Sequence, residues 1–78
     1  MSIEVDQEID ARGSFCPGPL MEMIKAVRAS DVGKTIAVLS KDPGSRTDIP
    51  AWVAKAQQEL IATEDEDGYT RFVVKKVR

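Results

Sequence analysis

The chemistry this sequence can offer is concentrated around one sulfur atom. Cys16, the only cysteine, stands in the stretch Gly13-Ser14-Phe15-Cys16-Pro17-Gly18-Pro19-Leu20. Proline has a fixed φ and no backbone donor, so Pro17 suits the first position of a helix and makes Cys16 the expected N-cap. A residue there faces unpaired backbone N–H groups and the positive end of the helix dipole. Both favour thiolate over thiol, the condition for a nucleophilic sulfur. The competing reading is a cysteine that serves as a small core hydrophobe. The two prolines and the cap position favour the reactive thiol.

The elements that must position this sulfur follow from periodicity. Ile3, Val5 and Ile9 alternate with Glu4, Asp6, Glu8 and Asp10, a strand with one apolar and one acidic face, although Gln7 interrupts its inward side. A loop from Ala11 to Phe15 turns at Gly13. Helix one is expected from Pro17 to Ala29, with Leu20, Met23, Ile24 and Val27 on one face and Pro19 in its first turn. Ser30-Asp31-Val32-Gly33 ends it. The apolar run Thr35-Ile36-Ala37-Val38-Leu39 reads as a central strand, and Lys41-Asp42-Pro43-Gly44 as a turn.

A second helix, capped by Ser45 or Thr47, places Ile49, Trp52, Val53, Ala56 and Leu60 on one face, with Pro50 at or just past its first turn. Ile61 to Glu64 and Tyr69 to Val77 read as strands joined at Asp67-Gly68, a strong hairpin signal. The order is β-α-β-α-β-β. The expected fold is an α/β (α+β) two-layer sandwich, a mixed four-stranded sheet with both helices on one face. Residues 1–78 are expected to form a single domain.

Composition removes several function classes. The chain of 78 residues has no histidine and one cysteine. That excludes an internal disulfide, a Cys/His zinc site and the nucleophile–histidine pairs of common hydrolases. Neither a metal nor a cofactor is expected. A net charge of −2 offers no general attraction to nucleic acid or to an anionic membrane. No apolar run approaches the roughly 20 residues of a membrane span, and the acidic, alternating start is unlike a signal peptide. A cytoplasmic monomer is expected, where a lone thiol stays reduced.

Two spaced motifs carry a resemblance. Asp10-Ala11-Arg12-Gly13-x-x-Cys16-Pro17-x-Pro19 and Asp42-Pro43-x-x-x-x-Asp48-Ile49-Pro50 are similar to the signatures of the TusA/SirA-like sulfur-carrier family, over essentially the whole chain. The resemblance implies that Cys16 accepts a sulfane sulfur as a persulfide from a donor such as a cysteine desulfurase or rhodanese. It then passes the sulfur to an acceptor protein, such as a DsrE-like protein. tRNA thiolation, cofactor sulfuration and dissimilatory sulfur oxidation use such relays, and a variant of the cargo is thiosulfate held as an S-thiosulfonate.

The residues agree with such a mechanism. A carrier needs a nucleophile but no general base of its own, and an anionic persulfide suits a helix N-terminus. Arg12, Gly13, Pro17 and Pro19 are expected to shape the site, with Arg12 pairing to Asp10 or Asp48. Lys25, Arg46 and Thr47 are the candidate anion or partner contacts. Arg46 is expected at the mouth, Lys25 on the rim, and Thr47 stands where some carriers have arginine. A sulfurtransferase half-reaction fits better than a free-standing enzyme. The alternatives are a non-catalytic regulatory or interaction domain and a thiol redox sensor.

Overall fold

The computed structural model describes residues 5–13 and 18–78. Strands β1 (Gln7–Asp10), β2 (Thr35–Ser40), β3 (Glu59–Glu66) and β4 (Tyr69–Lys75) alternate with helices α1 (Gly18–Ala29) and α2 (Ser45–Lys55) in the order β1-α1-β2-α2-β3-β4. The sheet runs β1-β2-β4-β3, with β1 parallel to β2 and both β2 and β3 antiparallel to β4. The hairpin strand β4 therefore inserts between β2 and β3, which puts two central strands side by side. β2 is a nearly continuous apolar run, and β4 is buried from Thr70 to Val74 with Phe72, Val73 and Val74 as its apolar stretch.

Register assigns the faces. Val38 lies opposite Phe72 and Ile36 opposite Val74, and these four meet Met23, Ala26 and Val27 of α1 and Ile49 and Val53 of α2 in one core. Both helices thus cover the same face. The buried side of α1 is Pro19, Met23, Ala26 and Val27, about 65° round from the expected stripe. Leu20 packs against the edge of the core, and Ile24 is only half-buried beside exposed Met21.

The uncovered face relies on a different device. Ala37, Leu39 and Val73 alternate with the core residues and are buried beneath longer neighbours, chief among them Arg71 at 5% exposure. From β4, Arg71 donates from Nε to Glu8 on β1 at 3.0 Å and from a terminal nitrogen to Glu64 on β3 at 2.6 Å. Burial alone would depress its pKa, but the two carboxylates more than offset that and hold it above the ordinary value. One side chain thereby links three of the four strands.

Several boundaries differ from the sequence expectation for local reasons. Pairing of β1 begins only at Gln7, because Asp6 turns its carboxylate to the N–H (2.9 Å) and hydroxyl (3.1 Å) of Thr35. These bonds, the backbone one foremost, hold the Asp6 carboxyl below its usual range. Residues 1–4 and the expected start of helix one at Pro17 lie outside the described residues. Neither Ser45 nor Thr47 caps α2: Gly44 is the N-cap, without a side-chain bond. The turn is held instead by Asp42, whose Oδ1 accepts the Gly44 N–H at 3.0 Å, while the buried hydroxyls of Ser40 and Ser45 bond each other at 2.8 Å.

Pro50 lies inside α2, further along than the first turn. That helix ends at Lys55 in a Schellman motif: the Gln57 N–H reaches the Ala54 carbonyl at 3.1 Å and the Gln58 N–H the Val53 carbonyl at 3.0 Å. Gln57 takes the left-handed position at φ 59°, a place usually held by glycine. Leu60 therefore reaches the core from β3, not from α2, and β3 starts two residues before Ile61. A register shift between Leu60 and Ala62 leaves Ile61 exposed. β4 stops at Lys75, although Lys76 still bonds back to the Lys34 carbonyl at 2.9 Å.

Candidate functional site

Strand directions gather three connections at one end of the sheet: the β1–α1 loop, the β2–α2 turn and the β3–β4 hairpin. Cys16 falls within the first of these in sequence. Cys16 and Pro17, together with the expectation that Cys16 caps α1, lie outside the described residues. The surroundings are described on both sides of that gap.

On the strand side, Arg12 folds back on Asp10. Its Nε and a terminal nitrogen donate to the two carboxylate oxygens at 2.8 and 2.7 Å, and its backbone N–H adds a third bond at 3.1 Å. Of the two partners considered for Arg12, Asp10 takes it. The guanidinium also lies over the ring of Tyr69, 4.9 Å from its centroid. The Arg12 side chain and then its backbone N–H hold the Asp10 carboxyl well below the carboxylate range, at about 2. Gly13 follows in the turn without a left-handed φ, and a Cβ there would meet nothing within 4 Å. Its value to the loop is therefore not the conformational freedom usual for glycine.

On the helix side, α1 begins with Gly18, and Pro19 is its second residue, fully buried. The missing proline donor costs nothing there, because first-turn N–H groups have no partner inside the helix. The first turn of α1 contains no acidic residue, whereas α2 carries Asp48 in its first turn. The positive end of the α1 dipole, beside the loop that holds Cys16, is thus not neutralised by the helix itself.

The remaining candidates separate. Arg46 projects towards the hairpin and pairs with Asp65, whose carboxylate also accepts from the Thr70 hydroxyl at 3.3 Å. Arg46, Lys41, Asp65 and Tyr69 border a shallow hollow of about 270 Å³ at this end of the sheet. Thr47 is exposed on the first turn of α2. Lys25 is exposed about two turns along α1, beside a groove lined by Met21 and Ile24. The structure thus gathers Arg12 and Arg46 at the loop end and leaves Lys25 on the helix flank.

Tyr69, Asp65 and Thr70 were not nominated from sequence, and no local pattern marks them. Only the insertion of β4 beside β2 brings them to the loop. No group of three or more Cys, Asp or Glu among the described residues is arranged to hold a metal. Among the same residues, no helix is long and apolar enough to cross a membrane.

Comparisons with known proteins agree with this architecture. Residues 7–76 match the family described as Sulfurtransferase TusA. A putative sulfur carrier protein of Archaeoglobus fulgidus is 54% identical over 70 residues, covering 90% of this chain and 96% of the relative. The sulfur carrier protein TusA of Allochromatium vinosum is 36% identical, covering 94% and 96%. The crystal structure of a SirA-like protein from Desulfitobacterium hafniense superposes with a TM-score of 0.81 at 22% identity, over 92% of this chain and 99% of that one, a likeness of fold. The sheet order, the two helices on one face and a match spanning residues 7–76 lead to one conclusion: this chain belongs to the TusA family.

Proposed function

We propose that this protein is a sulfur carrier that holds sulfane sulfur on Cys16 as a persulfide and passes it from a donor protein to an acceptor protein. The observation that carries the reading is the acid-free N-terminus of α1, next to the loop in which the only cysteine falls. The positive end of its dipole favours the thiolate before loading and the persulfide anion after it. The names of the relatives, sulfur carrier proteins, support the same role. The match over residues 7–76 supports reading the whole chain as one carrier domain.

The exchange needs no base and no net redox change. The Cys16 thiolate attacks the outer sulfur of a donor persulfide. A new S–S bond forms as the donor's S–S bond breaks, and the donor cysteine leaves as thiolate. Delivery repeats the step with an acceptor thiolate, and Cys16 is the leaving group. A depressed thiol pKa assists departure as well as attack. Donor and acceptor each need access to the loop end of the sheet, so they bind in turn. Such a relay belongs in a reducing compartment such as the cytoplasm.

Intact-protein mass spectrometry tests the proposal. Incubation with a cysteine desulfurase and cysteine is expected to add one sulfur, reversible by reductant and mapped to the Cys16 peptide. Cys16→Ser is expected to abolish the adduct and leave the fold unchanged, because serine is a good N-cap. Sulfur loading that persists in that variant would refute the assignment. A thiosulfate-sized adduct, formed with tetrathionate and not with the desulfurase, would replace persulfide by S-thiosulfonate as the cargo.

A further inference from the structure

The opposite end of the molecule, where both helices finish, presents a cleft of about 450 Å³. Four cations line it: Arg28 from the last turn of α1, Lys55 from the last turn of α2, and Lys76 and Arg78 from the segment after β4. No Asp or Glu side chain among the described residues lines the same space, although the chain as a whole carries a net charge of −2. The apolar part of the wall is Val27, Ala56 and half-buried Trp52.

Basic residues near helix C-termini ordinarily complement the dipole or cap the last carbonyls. Here the carbonyls have other partners. In α1, the Ser30 hydroxyl bonds the Ala26 carbonyl at 2.7 Å, the Ser30 N–H bonds Val27 at 3.2 Å, and Lys76 Nζ reaches the Ser30 carbonyl at 2.7 Å. In α2, the Ala56, Gln57 and Gln58 N–H groups take the Trp52, Ala54 and Val53 carbonyls. Arg28 and Lys55 make no capping bond and no salt bridge among the described residues. Gln58 meanwhile fixes the tail, with its amide bonding the Arg78 carbonyl at 3.1 Å and the Val77 N–H at 2.8 Å. The Arg78 guanidinium bonds neutral Gln57 and makes no salt bridge with an Asp or Glu side chain among the described residues.

We propose that this cleft binds a nucleoside triphosphate or a closely similar phosphorylated ligand. Charge density selects the class. Four cations around a space of drug-like size call for several negative charges within a few ångströms, which an oligophosphate provides. A carboxylate-rich peptide spaces its charges by about 3.3 Å or more per residue along an extended backbone and meets fewer of the four at once. The guanidinium forks of Arg28 and Arg78 match phosphate geometry, and the lysines add point charge. Val27, Ala56 and Trp52 supply the apolar surface for a nucleoside. The site is independent of the sulfur chemistry, which lies at the other end of the sheet.

The test is titration of the intact protein with free ATP, followed by calorimetry and by the NMR signal of the one tryptophan indole N–H. A dissociation constant below about 1 mM is expected, with movement of the Trp52 signal and clear weakening as salt rises. Arg28→Glu and Lys55→Glu are each expected to weaken binding at least about tenfold, the scale of one lost charged hydrogen bond. Lys41→Glu, at the loop end, is the matched control and should leave affinity unchanged. Cys16→Ser should bind ATP normally, and Lys55→Glu should still load sulfur, so the two functions fail separately. Absence of binding below about 1 mM overturns the proposal. Equal affinity for tripolyphosphate removes the nucleoside from it. Tighter binding of a polyglutamate peptide or an RNA oligonucleotide at equal total charge overturns it in favour of a macromolecular partner.

Discussion

The two ends of the sheet treat their arginines in opposite ways. At the loop end, Arg12 is locked to Asp10 and Tyr69, and Arg46 to Asp65. At the helix-exit end, Arg28, Lys55, Lys76 and Arg78 share a cleft that no described Asp or Glu side chain lines. The difference shows which charges hold shape and which remain for a ligand. Around the cysteine loop, the described arginines build a scaffold, and the first turn of α1 carries no acidic residue. At the far end, the helix-end carbonyls are satisfied without Arg28 and Lys55, which make no salt bridge among the described residues.

The sharpest way to break this contrast is Cys16→Ser, which should eliminate sulfur loading in the mass spectrum and leave the far cleft unaffected. Next is charge reversal at that cleft, where the loss of about tenfold or more in ATP affinity should come without loss of loading.

A third probe is the Asp10 carboxyl, expected to titrate at about 2 by NMR. In Arg12→Gln it should return towards the ordinary value of roughly 3.9. Because the folded pKa is depressed, the pair's contribution is complete above the unfolded value and disappears as pH falls through about 2. Arg12→Gln should therefore be less stable than the parent near neutrality, and the difference should shrink as pH falls from roughly 4 to 2.

Gln57→Gly, which relieves a left-handed side chain, should raise unfolding free energy by about 1 kcal/mol in urea titrations. Arg46→Ala should be the mildest change. Its pair with Asp65 is exposed on both sides, so a loss below about 1 kcal/mol is expected, with loading intact. A large loss of loading in Arg46→Ala would move that arginine from scaffold to sulfur contact.

Much of the fold was legible because each element repeats its own period. The β1-α1-β2 unit, the hairpin at Asp67-Gly68 and the core residues Met23, Val27, Ile49 and Val53 all follow from local pattern. Strand order was not legible. Nothing local says that β4 rather than β3 pairs with β2, and that choice alone brings Tyr69 to Arg12. The end of α2 was missed because glutamine, not glycine, takes the left-handed position, so Leu60 looked like another helical turn. Ser45 looked like a cap, but its hydroxyl is turned inward to Ser40. For the site, Arg12 and Asp10 are two residues apart and readable as a pair. Arg46 and Asp65 are nineteen apart and meet only through the hairpin. The cleft at the helix ends draws on α1, α2 and the tail, and leaves no mark on any one segment.

The outermost strands carry one more consequence. β1 pairs over only four residues, and β3 breaks its ladder between Leu60 and Ala62 and bears Glu59, Glu64, Asp65 and Glu66. A long, flat, neutral edge invites another chain to add itself as a further strand. Here one border is too short for such growth and the other is kinked and anionic. Copies crowded together at high abundance will repel along these borders and resist fibril-like stacking.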